Sequence, residues 1–115
     1  MNMEFYLGKK KFFSKAESKS FFGKIFGLMF RTRHSGNMLF SFRKDVRISI
    51  HSWFVFFPFL AIWLDEKKKV VDMRIVLPFS TMVLSKKKFR HILELPFNDG
   101  NEEIIRNLVG ISKIS

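Results

Sequence analysis

Short stretches in which apolar and polar residues alternate predict that most of the chain forms β-strands. The first such stretch ends at a turn near Gly8, and proline or charged residues separate the later ones. Residues 43–45 and 65–69 are expected to form the turns of two hairpins. The predicted strands cover residues 2–7, 38–42, 46–52, two segments of 53–64 that meet at a bend near Pro58, 70–76, 91–95 and 111–114.

Two segments have the three- and four-residue spacing of apolar side chains that is typical of amphipathic helices. The stronger pattern covers residues 20–31. The second follows the N-cap residues 98–101 and begins with Glu102 and Glu103, whose charges suit a helix N-terminus. Gly110 is expected to end this helix.

Together these elements predict a mainly β member of the α+β class. The expected architecture is a small barrel-like or strongly twisted antiparallel sheet with two flanking helices. At 115 residues, with 47% hydrophobic residues and 16 Phe, the chain can build one core, so residues 1–115 are expected to form a single domain.

The longest apolar stretch, residues 48–64, raises the alternative of a membrane span. As a helix this stretch would extend about 26 Å, which is shorter than the roughly 30 Å hydrocarbon core of a bilayer. Pro58 would interrupt such a helix, and Phe, Trp, Ile and Val favour strands. Two buried strands are therefore the preferred interpretation. The alternative for an apolar patch around residues 53–63 is a homodimer interface.

The chain contains no cysteine, which excludes disulfides, thiolate metal sites and cysteine nucleophiles. Residues 1–11 lack the apolar run of a signal peptide. A cytoplasmic location is the expectation that fits both features.

Positive charge is the strongest chemical signal in the sequence, with a formal net charge of +11. Three lysine triplets lie at predicted turns. Several arginines lie in the first half of the chain. If these turns converge, they would form a surface for phosphate, with Phe12, Phe13 and Phe89 available for base stacking. The candidate residues are Lys9, Lys10, Lys11, Arg31, Arg33, Arg43, Arg47, Lys67, Lys68, Lys69, Lys86, Lys87 and Lys88.

The alternative is that these lysines only solvate turns and protect strand edges from aggregation. A contact with a membrane surface, made by the apolar face of residues 21–30, is a further alternative.

Signals of catalysis or cofactor binding are weak. His34, His51 and His91 do not have the spacing of a metal site, and there is no nucleophile elbow, P-loop or dinucleotide fingerprint. No cofactor is therefore expected. Glu94 and Asp72 are the carboxylates to examine for a raised pKa, although solvent-facing strand positions would explain both.

A glycine-leucine-methionine motif is followed by further short blocks in a fixed order. They are Gly27-Leu28-Met29-Phe30-Arg31, Met38-Leu39-Phe40, His51, Pro58, Leu64-Asp65, Val70-Val71 and Leu93-Glu94-Leu95-Pro96. Spread over residues 20–114, these blocks resemble the domain-of-unknown-function 192 family. The resemblance implies a small, mainly β domain with flanking helices, a bacterial or archaeal source, and no established biochemical activity.

The chain departs from the family form that it most resembles at two positions. That form carries an arginine at the position of Phe56 and an aspartate at the position of Leu60. Because both charges are absent here, no unpaired buried charge is left behind. If relatives use that pair as a site, this chain lacks it.

The sequence favours a non-enzymatic binding module for an anionic partner, with nucleic acid as its most specific form. The alternatives are an enzyme with an unrecognised pocket and a peripheral membrane protein.

Overall fold

The computed structural model describes residues 2–18, 36–50 and 55–114. Seven strands, one 3₁₀ turn and one α-helix lie in these ranges. They are β1 (Asn2–Leu7), β2 (Lys10–Lys15), β3 (Glu17–Ser18), β4 (Met38–Val46), β5 (Phe59–Leu64), β6 (Val70–Val76), β7 (Phe89–Pro96), the 3₁₀ turn (Asp99–Asn101) and α1 (Glu102–Ile114).

β1 and β2 form an antiparallel hairpin whose turn depends on a glycine. Gly8 has a φ of 62°, in the left-handed region that favours glycine. Phe5 and Phe12 are directly opposite each other, and their stacked ring centroids lie 5.6 Å apart. The hairpin therefore presents one apolar face to the rest of the protein.

The other five strands form one sheet with the order β3-β4-β7-β5-β6. β3 and β4 are parallel, and all other neighbours are antiparallel. All six residues of β5 are buried, because this strand lies between β7 and β6 and is covered on both faces. The run of apolar residues at 59–64 is the sequence signature of such a doubly covered strand.

Each face of the five-stranded sheet has its own hydrophobic core. On one face, Leu60 and Ile62 pack with Phe5 of the hairpin and Leu108 of α1, and we call this cluster the first core. The second core, on the other face, contains Phe59, Ala61 and Trp63 of β5 and residues of the irregular segments 47–50, 55–57 and 77–88. Its buried members are Met38, Phe40, Val55, Phe57, Phe59, Ala61, Trp63, Val76, Val83, Phe89 and Ile92.

The prediction of a barrel was wrong, because the two sheets do not close. The hairpin lies over the first core, and among the described residues an isolated bridge joins Tyr6 of β1 to Lys69, the residue before β6. The predicted antiparallel sheet is also mixed, since β3 runs parallel to β4.

The expected hairpin at residues 43–45 was also wrong. β4 continues through these residues to Val46, with a register shift against β7 between Ser41 and Val46. The exposed polar residues therefore belong to an irregularity within a strand, not to a turn. Residues 47–50 form no strand, and Ile50 makes an isolated bridge with Val83.

The predictions for the second half of the chain were more accurate. β5, β6 and β7 and the charged turn at 65–69 were confirmed, although residues 55–57, before Pro58, do not form a strand. α1 continues through Gly110 to Ile114, so the strand predicted at 111–114 was wrong. Gly110 lacks the positive φ of a helix C-cap. The predicted helix over 20–31 lies outside the described residues; one α-helix, not two, flanks the sheets in the described part.

A buried amide network ties α1 to the strands. The Nδ2 of Asn101 donates to the Pro96 carbonyl at 2.8 Å and to the Oδ1 of Asn37 at 2.7 Å. The Nδ2 of Asn37 in turn donates to the Oγ of Ser14 and to the Lys15 carbonyl, both at 2.9 Å. This network connects the start of the helix with β7, β2 and the residue before β4.

We expect Asn101→Ala to lower the free energy of unfolding by about 2–4 kcal/mol, because it leaves buried acceptors without a donor. Chemical denaturation measures the change. Asn107→Ala, at an exposed position of the same helix, is the matched control and should change stability by about 0.5 kcal/mol or less. Equal losses in both variants would contradict a structural role for the network.

Candidate polyanion-binding surface

Two of the three lysine triplets come together at one end of the hairpin. The backbone N–H of Tyr6 donates to the Lys68 carbonyl at 2.9 Å, and Tyr6 forms its isolated bridge with Lys69. On its other side, Tyr6 pairs with Lys11 of β2. Lys9, Lys10 and Lys11 therefore lie beside Lys67, Lys68 and Lys69, and we call these six residues the first basic surface.

The turn that carries the second triplet is held by Asp65. Its Oδ1 accepts from the backbone N–H groups of Lys67, at 2.8 Å, and Lys69, at 2.9 Å. Lys68 has a φ of 64°, an uncommon conformation for a non-glycine residue. The carboxylate of Asp65 is thus occupied by backbone donors of the turn. The side chains of all three lysines are exposed.

Nearby groups neutralise the first basic surface only in part. The Lys11 Nζ lies 3.4 Å from the Oε2 of Glu4, and both side chains are about half exposed. The Lys11 Nζ also lies 5.6 Å from the ring centroid of Phe13. An ion pair at such an exposed position contributes little and is screened by salt.

The third triplet belongs to a neighbouring surface. The Lys86 N–H donates to the Oδ2 of Asp72 on β6 at 2.8 Å, and the Arg47 Nε donates to the Ser85 carbonyl at 2.9 Å. We call Arg47, Lys86, Lys87 and Lys88 the second basic surface. Because β6 begins directly after Lys69, Asp72 lies about 10 Å farther along that strand.

The remaining predicted cations do not join these surfaces. Arg31 and Arg33 lie outside the described residues. Arg43 is exposed in β4, and no hydrogen bond or ion pair within the described ranges links it to the two surfaces. Arg90, which the sequence analysis did not select, forms ion pairs with Asp45 at 3.1 Å and Glu66 at 3.9 Å.

The aromatic side chains expected to stack on bases are placed differently from the prediction. Phe12 and Phe89 are buried in the two cores, and Phe13 is 62% exposed. Phe56 and Phe79, which the sequence analysis did not select for stacking, are both exposed. Leu60 is buried in the first core, so the two positions of the family's charged pair have opposite environments.

Glu94 is buried at the centre of the sheet. It pairs with Met38 of β4 and Ala61 of β5, so its side chain is on the face of the second core. Burial raises the pKa of its carboxyl to about 8. The solvent-facing position that the sequence favoured for Glu94 was therefore wrong, and the raised pKa for which this carboxylate was to be examined is present.

Another buried polar group, the indole N–H of Trp63, lies on the same face. Trp63 lies two residues from Ala61 on β5, which places it diagonally across from Glu94. Within the described residues, its indole Nε1 is buried and has no hydrogen-bond partner. Asp72, the other carboxylate selected from the sequence, instead accepts from the backbone N–H groups of Met73 and Lys86.

His91 lies at the end of the sheet near the first basic surface. Its Nδ1 is hydrogen-bonded to the Oγ of Ser41 at 2.8 Å. Burial, followed by the charges of Lys68 and Arg90, lowers the pKa of His91, while Asp65 raises it. The described ranges contain no group of three or more His, Asp or Glu side chains that could hold a metal ion, and His34 and His51 lie outside them.

A cleft of about 510 Å³ separates β2 from the start of α1. Lys10, Lys11, Lys15, Asn101 and Glu103 are among its lining residues. The amides of Asn37 and Asn101, which also line it, belong to the network that ties α1 to the strands.

These features define a small α+β protein with an open mixed sheet, covered on both faces. Residues 10–105 match the DUF192 family, described as "Uncharacterized ACR", and the chain belongs to this family. No curated protein matches the chain.

Two crystal structures have a similar fold. One, described as "a putative transcription regulator" from Sinorhizobium meliloti 1021, has a TM-score of 0.71 and 16% identity, over 81% of this chain and 77% of that chain. The other is a protein of unknown function from Novosphingobium aromaticivorans DSM 12444, with a TM-score of 0.69 and 15% identity, over 87% of this chain and 74% of that chain. In residues 2–18, 36–50 and 55–114, no helix is long and apolar enough to cross a membrane.

The raised pKa of Glu94 makes stability depend on pH. In the unfolded chain Glu94 ionises near its ordinary pKa of 4.5, whereas in the folded protein it keeps its proton up to about pH 8. The folded state therefore binds the extra proton between these values, and Glu94 lowers stability by about 1.4 kcal/mol for each unit that the pH rises. The lowered pKa of His91 acts in the opposite direction, but only below its ordinary value of 6.5.

We therefore expect the free energy of unfolding to fall between pH 6.5 and 8 in the wild-type protein. Glu94→Gln should remove most of this fall, because its amide does not ionise. Denaturant titrations across this range measure the difference, and Glu103→Gln, at an exposed helix position, is the control. Parallel pH profiles for Glu94→Gln and the wild-type protein would show that Glu94 is already ionised in the folded state.

Proposed function

We propose that this protein is a non-enzymatic binding module for a polyanion, and that nucleic acid is its partner. The observation that carries the proposal is the first basic surface. Lys9–Lys11 and Lys67–Lys69 are distant in sequence, yet the contacts of Tyr6 with Lys68 and Lys69 bring them together. Lysine ammonium groups are compact charges that bind phosphate oxygens well.

The spacing of these charges favours an anionic partner over simple solvation of turns. Lys11 and Lys69 are on opposite sides of Tyr6, so two strand spacings of about 4.8 Å each separate their backbones. This separation of about 10 Å slightly exceeds the Debye length of about 8 Å at physiological salt, so the repulsion between these charges is partly screened there and grows as the salt concentration falls. Bound phosphates would relieve this repulsion.

Nucleic acid is the polyanion that we would test first. The net charge of +11 on 115 residues gives a field that attracts a polyphosphate over the whole surface. One structural relative is described as "a putative transcription regulator". That description belongs to a protein with 16% identity, so it only guides the choice of the first ligand.

We expect Lys68→Gln with Lys69→Gln to weaken binding to a labelled single-stranded RNA and to reduce its salt dependence. Each lost phosphate contact should lower the slope of log K against log salt concentration by about 0.7. Fluorescence anisotropy at salt concentrations between about 50 and 200 mM measures both quantities.

The matched control is Lys15→Gln with Lys44→Gln, which removes two exposed lysines outside both basic surfaces. It lowers the net charge by the same amount, so it reports the effect of overall charge alone. The proposal requires a larger loss of slope in the first pair. Equal changes in both pairs, or no binding by the wild-type protein, would count against it.

A further inference from the structure

The outer edge of the β1–β2 hairpin is formed by a strand with one neighbour. Within the described ranges, β2 pairs with β1 alone. An antiparallel strand directs the N–H and C=O groups of alternate residues to opposite edges, so every second residue of β2 turns its backbone groups away from β1. Such groups form an edge to which a further strand can be added.

Two hydrogen bonds identify the residues of β2 that face outward. The N–H of Tyr6, which is opposite Lys11, donates to the turn between β5 and β6. Farther along β2, the carbonyl of Lys15 accepts from the Nδ2 of Asn37 at 2.9 Å. Alternation between these points places Phe13 in the same set. In the described part of the chain, the outward backbone groups of Lys11 and Phe13 make no hydrogen bond.

The same three residues project their side chains from the outer face of the hairpin. Phe12 packs in the first core, whereas Lys11, Phe13 and Lys15 are exposed. A cation, an aromatic ring and a second cation therefore follow one another at alternate positions. The Oε2 of Glu4 lies 3.4 Å from the Lys11 Nζ, while Lys15 has no ion pair within the described ranges.

The cleft of about 510 Å³ provides space beside this edge. It lies between β2 and the start of α1, and Lys11, Phe13 and Lys15 are among its lining residues. Its volume is within the range of roughly 300–1,000 Å³ that is usual for ligand pockets. Its charged lining residues are Lys10, Lys11, Lys15 and Glu103. Because positive charges exceed negative ones, the cleft is complementary to an acidic partner.

A second copy of the chain fits this edge poorly. If two β2 strands paired antiparallel about Phe13, each Lys11 would lie opposite a Lys15, and parallel pairing would place identical lysines side by side. Like charges that face each other across strands are destabilising, and lysines on an edge commonly prevent such pairing. An acidic strand would instead place carboxylates beside both lysines.

We propose that the open edge of β2 binds an extended acidic peptide by strand addition. The backbone of the peptide pairs with Lys11 and Phe13, and its carboxylates face Lys11 and Lys15. Because side chains alternate along a strand, the matching pattern is acidic-x-apolar-x-acidic, in which the apolar residue contacts Phe13. Residues at x are small, because they point, like Phe12, towards the first core. This pattern is the same in both chain directions, and the inference does not rest on the proposed function.

The probe is a fluorescent heptapeptide with capped ends, in which threonine alternates with glutamate, phenylalanine and glutamate. Two further versions are N-methylated, one at the phenylalanine and one at the threonine that follows it. A strand presents only alternate N–H groups to its neighbour, so one methylation should weaken binding at least about tenfold and the other less than about twofold. Fluorescence anisotropy measures both. Equal effects of the two methylations, or no binding of the unmodified peptide, would overturn the proposal.

A charge exchange tests the two lysines. Lys11→Glu with Lys15→Glu should weaken binding of the acidic peptide at least about tenfold and create binding to a peptide with lysine in place of glutamate. The gain of binding shows that the variant is folded. Lys44→Glu with Lys88→Glu changes the net charge equally at exposed positions outside the cleft, and is the matched control. Equal losses in both pairs, without binding of the lysine peptide, would contradict a specific site.

Two measurements separate this site from other partners. Lys68→Gln with Lys69→Gln lies outside the cleft, so it should bind the peptide within about twofold of the wild-type protein even where it binds RNA less well. Equal losses for peptide and RNA would assign both to the first basic surface and overturn the proposal. Sedimentation velocity tests self-association. A dimer that Phe13→Pro abolishes, by removing an outward N–H, would assign the edge to a second copy, whereas a monomer supports the peptide site.

Discussion

The burial of β5 on both faces determines how the rest of the chain is arranged. Leu60 and Ile62 are on one face of this strand, and Ala61 and Trp63 are on the other. A strand with apolar side chains on both sides must be covered on both sides. The β1–β2 hairpin and α1 cover the first face, while the irregular segments 47–50, 55–57 and 77–88 cover the second. The positions of the basic turns follow from this arrangement.

Local signals in the sequence were sufficient to predict β5, β6 and β7, because proline residues and a charged turn mark the ends of these apolar stretches. They were insufficient where a polar cluster lies inside a strand. Residues 43–45 look like a turn, but they belong to an irregular part of β4 that pairs with β7. β2 was missed because the adjacent residues Phe12 and Phe13 obscure the alternation, although one is buried and the other is exposed.

The charged residues of the candidate site could be predicted from the sequence, but their positions relative to one another could not. Each lysine triplet was correctly expected at or beside a turn, yet the meeting of two triplets depends on the backbone contact between Tyr6 and Lys68, which no local pattern encodes. The environment of the aromatic residues could not be predicted from local patterns either. In a chain with 16 Phe, spacing alone does not distinguish a buried ring from an exposed one, and Pro78 was the single local sign of a turn beside Phe79.

The polar groups on the two faces of the sheet have different surroundings. Between the hairpin and α1, the amides of Asn37 and Asn101 satisfy their partners and hold the start of the helix against the strands. The second core contains Glu94, with its pKa raised by burial, and the indole N–H of Trp63, which has no hydrogen-bond partner within the described residues. A buried polar group without a partner lowers the stability of the folded state. The amide network therefore stabilises the packing of α1, whereas Glu94 makes the stability of the second core depend on pH.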